Sequence, residues 1–204
     1  MAVVNSPPLD AALGGAPTDG TWVSDGGQAA GRQAHVLASV DRAEADRRAA
    51  CGLGALSASL RLLDDLLALP MNASVHTSAL PPGALERLGA APAGCVEVDG
   101  PLVTRLARPV VRVAAAVSVA DTWRVALTNA LAFRPLCRSY VLVTGAEDLH
   151  EYVWEAQIAG VGVLARPDGA AHAIETLPAP GYDRPLKPAG WRFAEHAWQA
   201  ACVA

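Results

Sequence analysis

With 204 residues and a formal net charge of −4, the chain is long enough for one domain with a small subdomain and too acidic overall to coat nucleic acid with its whole surface. Hydrophobic residues make up 52% and charged residues 18%, which supplies a core and excludes wholesale disorder. Of the 16 basic residues one is a lysine, Lys187, in the Pro-rich stretch Arg184-Pro185-Leu186-Lys187-Pro188, a poor setting for a rigid catalytic base.

Residues 1–33 are rich in Gly, Pro, Ser, Asp and Ala and lack apolar periodicity, so they read as a disordered tail in which only Trp22 is suited to dock on the body. The opening MAVVNSPPLDAALGG has neither a basic start nor a long apolar run, and no secretory signal is expected. Residues 34–69 read as helical. Leu53, Leu56, Leu60, Leu63, Leu66 and Leu67 recur at helical spacing and mark a core-facing stripe, too short for a coiled-coil seam. Ser57 or Ser59 is placed to cap this helix and Pro70 to stop it.

A short helix, Ala84 to Leu88, follows Pro81-Pro82-Gly83 and ends at Gly89. Cys95–Val98 and Leu102–Leu106 then flank Asp99-Gly100 as a hairpin. A short helix before a hairpin is also how a winged helix-turn-helix ends, and that alternative stays open here.

The C-terminal half alternates regularly. Val110–Ser118 (VVRVAAAVS) reads as a buried strand, and Asp121 as the cap of a helix running to about Cys137. Ser139–Val143 is a second strand. Glu147 to Ala159 is a helix with acids at its positive end and Gly160 at its close. Val161–Leu164 is a third strand, Pro167-Asp168-Gly169 a turn, and Ala171–Leu177 a returning strand. Strand–helix–strand–helix–strand with short connections predicts parallel neighbours. Pro178 to Pro188 reads as extended. Trp191, Phe193, Ala194 and Trp198 fall on a final helix expected to pack on the body.

Few residues carry chemistry. Cys51, Cys95, Cys137 and Cys202 are scattered without a C-x-x-C pair or histidines at ligand spacing, so free thiols in a reducing cytoplasm and no metal site are expected. No run of about 18 apolar residues appears, so no membrane partner is expected. Phosphate loops, dinucleotide glycine turns, H-E-x-x-H and G-x-S-x-G are absent, and no cofactor is expected. Asp64-Asp65 and Glu147-Asp148 are adjacent and point apart. His150, His172 and His196 have no evident nucleophile partner and read as surface histidines.

Residues 95–178, roughly 80 in number and the size of a compact domain, resemble the PD-(D/E)XK nuclease superfamily in its small restriction-endonuclease-like form. The family pattern is a hairpin bearing an Asp, a strand bearing Glu-x-Lys, a helix with Gln-x-x-x-Tyr, and a strand like Gly160-Val161-Gly162-Val163-Leu164 before a terminal hairpin. Ala114 stands at the metal-binding carboxylate and Ala116 at the lysine. Asn129 to Phe133 occupy the Gln-x-x-x-Tyr place, and Asp99 is the nearest hairpin aspartate. The resemblance implies a mixed-sheet α/β core of restriction-endonuclease type at 95–178. Around it lie a disordered tail (1–33), a helical N-terminal region (34–94), and a Pro-rich segment with a C-terminal helix (179–204). It also implies a dead site: alanine methyls neither hold Mg²⁺ nor take a proton.

Charge is unevenly distributed. Residues 101–143 carry Arg105, Arg108, Arg112, Arg124, Arg134 and Arg138 against Asp121 alone, between acidic flanks. These arginines are the candidate nucleic-acid contacts, and internal pairing with the acidic flanks is the alternative. The expectation is a non-catalytic nuclease-like module that binds DNA or a protein. The alternatives are a winged-helix regulator reading DNA through residues 34–106, with the C-terminal half as effector module, and an enzyme whose residues escape recognition.

Overall fold

A computed structural model describes residues 21–24, 28–29, 31–145, 149–170 and 173–203. The expected tail at 1–20, the side chain of Trp22, and Glu147, Asp148 and His172 lie outside the described residues. The fold mixes helices with sheets, and the chain divides into two compact units. The first comprises 1–40, 112–184 and 200–204, the second 41–111 and 185–199. The expected border between residues 94 and 95 falls inside the second unit.

The first unit is built on a six-stranded sheet in the order β1-β4-β8-β9-β10-β11. β1 is Thr21–Ser24, β4 His35–Val40, β8 Val111–Ser118, β9 Arg138–Thr144, β10 Gly162–Arg166 and β11 Ile174–Leu177. Two-residue strands β2 (Gln28–Ala29) and β3 (Arg32–Gln33) pair in a separate ribbon. β8, β9 and β10 are parallel, with Ala116 opposite Ser139 and Leu142 opposite Leu164. β1 runs antiparallel to β4, and β11 to β10. The parallel strands are thus as expected.

Two readings at the N-terminal side change. Residues 21–24 are a strand where a tail was expected, so removing residues 1–30 would remove β1. Residues 35–40 are a strand where a helix was expected. Val36 and Ala38 alternate with more exposed neighbours, a period of two that a window dominated by the later leucines conceals. The helical stretch begins only after Asp41, whose carboxylate accepts from the Glu44 amide at 3.0 Å.

Between β8 and β9 runs α4 (Trp123–Phe133), and between β9 and β10 runs α5 (His150–Ala159). Ala126 and Ala130 of α4 bury against Val141 and Val161, where small side chains permit close helix–sheet approach. The opposite sheet face carries Leu37, Ala115, Val117, Tyr140, Leu142 and Leu164. The expected Asp121 cap is not formed. Thr122 holds the cap position, without a side-chain bond. Pro135 follows the helix closely, lacking the amide that would extend it.

Gly160 closes α5 at φ 65°, as its position predicts. Gly162 is required for a different reason: a Cβ there would collide with the ring of Tyr140 and sit 2.7 Å from the Ala179 amide nitrogen. Gly162→Ala should therefore cost about 1–3 kcal/mol by overpacking, read as a lower urea midpoint at unchanged slope.

The second unit holds α1 (Arg42–Ala50), α2 (Leu60–Ala68), a 3₁₀ turn (Thr77–Ala79) and α3 (Ala84–Gly89). It also holds a three-stranded sheet in the order β5-β7-β6 and most of α6 (Pro188–Val203). β5 is Ser74–His76, β6 Val96–Asp99 and β7 Leu102–Arg105. Gly52 at φ 71° and Gly54 interrupt what reads as one helix. Ser59 caps α2, accepting from the Leu62 amide at 3.1 Å, and Pro70 follows its end. Leu56, Leu63, Leu66, Leu88, Val103 and Trp191 form the core. Trp191 is thus buried, as the packing expectation requires.

A polar network is also buried in this unit. Arg48 donates to both Glu195 oxygens at 2.8 Å and to Glu44 at 2.9 Å. Glu195 also accepts from the Leu56 amide at 2.7 Å and from Trp191 Nε1 at 2.8 Å. Among the described residues no helix is long and apolar enough to cross a membrane.

Candidate functional site

The strand expected to carry the vestigial site, β8, is central, with β4 on one side and β9 on the other. Ala114 is exposed, whereas Ala115 and Ala116 are buried. Ala116 shares a face with Ser118 and stands opposite Ser139, whose hydroxyl donates to the Ala130 carbonyl of α4. That face is filled by small side chains of α4.

The sheet neighbour preceding β8 is His35–Val40, not the 95–106 hairpin, and it contains no acid. Asp99 is exposed at the end of β6 and belongs to the three-stranded sheet, so it is not strand-paired beside the alanines as the family pattern would have it. Asn129 lies half-buried on α4 and accepts from Arg32 Nη1 at 3.1 Å. Phe133 is fully buried at the end of α4. Among the described residues no three His, Cys, Asp or Glu side chains are gathered to hold a metal ion. β8 and β4 thus provide no carboxylate to hold a hard cation.

The six arginines divide into two classes. Arg105 is half-buried, donating to the Leu66 carbonyl at 2.8 Å and to Met71 Sδ at 2.9 Å, with Trp191 beneath its guanidinium at 6.0 Å. Arg108 pairs with Asp41 at 2.7 Å, and this hydrogen bond holds the Asp41 carboxyl below its ordinary range. Both are occupied inside the second unit. Arg112, Arg124, Arg134 and Arg138 are exposed in the first unit, and their guanidinium groups make no ion pair among the described residues.

Three of these four collect at the amino-terminal ends of the parallel strands: Arg112 in β8, Arg138 opening β9, and Arg134 in the turn before it. Arg138 registers with Ala115, so Arg112 stands three residues away, about 10 Å along the sheet, and its side chain leaves the opposite sheet face. Arg124, in the first turn of α4, lies at the other end of that helix.

Sequence reading misses other groups here. Trp123 stacks on Tyr152 with ring centroids 4.8 Å apart and donates to Glu155 at 2.5 Å. Tyr140 donates to Glu175 at 2.7 Å; burial first, and this bond second, push its phenol up to about 12. Burial likewise raises the Cys95 thiol to about 11 and the Cys137 thiol to about 12, so neither is a nucleophile at neutral pH. The stacked pair has a faint sequence signal in two aromatics near the starts of consecutive helices. The Tyr140–Glu175 bond has none, because it joins strands that are not adjacent in the sheet.

Comparison with protein-family models, with curated proteins and with solved structures returns no match for this chain.

Proposed function

We propose that the first unit is a non-catalytic, nuclease-like module that holds a nucleic-acid backbone through Arg112, Arg134 and Arg138. The observation that carries this reading is the group of exposed arginines at one end of the parallel strands, without ion-pair partners among the described residues, since surface arginines in an acidic protein ordinarily find carboxylates nearby. The absence of acids on β8 and β4 supports binding without cleavage. Phosphodiester hydrolysis of the family type needs carboxylates around a metal, and alanine supplies none.

A winged-helix reader is favoured by one feature, the sheet order β5-β7-β6 in which β5 lies between α2 and α3 and the β6–β7 hairpin follows α3. Its charges argue against it. The six-residue α3 commits Arg87 to Asp65 at 2.5 Å, and the hairpin tip carries Asp99.

A mobility-shift titration with a 20-base-pair duplex tests the proposal. Three phosphate contacts give a log–log salt slope near −2.7, so affinity should fall about fortyfold between 50 and 200 mM salt. The triple variant Arg112→Ala/Arg134→Ala/Arg138→Ala should lose this slope, while Arg105→Ala should keep it. No shift at 50 mM salt, or an unchanged slope in the triple variant, would refute the reading.

A further inference from the structure

We propose that a cleft in the second unit, lined by the later turns of α2 and the start of α6, binds a free α-amino acid with an apolar side chain. The cleft has a volume of about 340 Å³, at the small end of the range for ligand pockets, about 300–1,000 Å³. All its lining residues belong to the second unit, apart from the arginines proposed to hold nucleic acid. Asp64 and Lys187 both line it and both are exposed. Neither makes an ion pair or a side-chain hydrogen bond among the described residues. Asp65, the other acid on the lining, is committed: Arg87 donates to both of its oxygens, at 2.5 and 3.0 Å. The free charges of the cleft are therefore one acid and one base. A ligand bearing an ammonium and a carboxylate satisfies both with charge-assisted hydrogen bonds, which a simple cation or anion does not.

The backbone adds the same polarity. Asp64 and Ala68 are four residues apart, on one face of α2, and Ala68 closes that helix. Lys187 stands at the start of α6, its carbonyl accepting from the Trp191 amide at 3.0 Å. A helix is negative at its C-terminal end and positive at its N-terminal end, so the ligand's ammonium is favoured at α2 and its carboxylate at α6. The rest of the lining is apolar: Leu67 and Ala68 of α2, Pro81 ahead of α3, and Leu186 and Pro188 on either side of Lys187. Leu186 lies against Gly190 of α6, where a Cβ would stand 3.3 Å from its Cδ1, so the missing side chain lets it rest on the first turn of that helix. Beyond the three charged residues the lining offers no polar side chain, which suits an aliphatic or aromatic group and leaves a hydrophilic one without partners.

The probes are L-leucine, L-methionine and L-phenylalanine, titrated into the full chain by calorimetry at neutral pH and low salt. Saturable binding of at least one is expected. Its N-acetyl derivative lacks the ammonium and its amide lacks the carboxylate, and each should bind about tenfold more weakly, or worse, for want of one charged hydrogen bond. Asp64→Asn should weaken the free amino acid by a similar factor and leave the N-acetyl derivative unaffected. Lys187→Gln should do the same for the amino acid and leave the amide unaffected. Both positions are exposed, and unchanged melting temperatures will show that the variants fold. Lys187 is the one lysine of the chain, so protein carrying ¹³Cε-lysine gives a single side-chain resonance, expected to shift on titration. No saturable binding of any of the three overturns the proposal. So does equal binding of the blocked derivatives, an affinity unchanged in both variants, or a Lys187 resonance that does not move.

Discussion

Arg48→Met should lower the unfolding free energy by about 3–5 kcal/mol, the range for breaking a buried ion pair from one side. Arg48, Glu44 and Glu195 are 2%, 1% and 2% exposed. Both acids are oriented by other bonds that remain: Glu195 by the Leu56 amide and Trp191, Glu44 by Arg47 at 2.8 Å. The carboxylates therefore cannot turn to water when the cation is removed. The Arg108 and Gly54 carbonyls lose their donor as well. Denaturant melts of the two proteins measure the difference.

The deficit should also depend on pH. Burial pushes the Glu44 carboxyl up, but hydrogen bonds from Arg47 and Arg48 more than offset this, and its folded pKa lies below the ordinary value. A depressed carboxylate contributes stability that is present above its unfolded pKa and lost as pH falls through the folded one. The gap between Arg48→Met and wild type should accordingly be widest near neutrality and narrow in acid. A gap that stays constant from pH 7 to pH 3 would mean that Arg48 stabilises by packing its stem rather than by charge.

The legible parts of the fold are those set by local chemistry. Ser59 and Pro70 bound α2, Gly160 bounds α5, the 95–106 hairpin forms about Asp99-Gly100, and the short apolar runs after Val110 become parallel strands because helices of matching length separate them. The parts that do not follow are set by pairing over distance. His35–Val40 is a strand that pairs with Thr21–Ser24, and the period of two in HVLASV is too short to stand out beside the leucine-rich helix that follows. Arg48 and Glu195 are 147 residues apart, so neither reads as buried; an arginine in Asp-Arg-Arg-Ala-Ala looks like a solvated helix face. The same long-range pairing separates the arginines. Arg105 and Arg108 belong, on charge alone, with Arg112 and Arg138, but the chain leaves the second unit between residues 111 and 112.

Introducing the Glu-x-Lys of the nuclease pattern in two steps should separate the effects of positions 114 and 116. Ala114→Glu should leave the melting temperature nearly unchanged, because residue 114 is exposed and surface substitutions of this kind stay within about 0.5 kcal/mol. Ala116→Lys should be severely destabilising, by several kcal/mol. Its methyl is 0% exposed, it lies opposite Ser139, and the helix face bearing Ala126 and Ala130 covers that side of the sheet. An added four-carbon stem finds no volume in such packing. No acid flanks the ammonium on these strands: the neighbouring polar groups are the hydroxyls of Ser118, without a hydrogen-bond partner among the described residues, and of Ser139, already bonded to Ala130. A hydroxyl accepts a hydrogen bond but does not neutralise a buried cation. The double variant should therefore melt like Ala116→Lys alone, because the carboxylate introduced by Ala114→Glu stands at a solvent-exposed position and has water as a competing partner. If the double variant instead recovers wild-type stability, the two side chains reach each other, and β8 borders a hollow large enough to hold both.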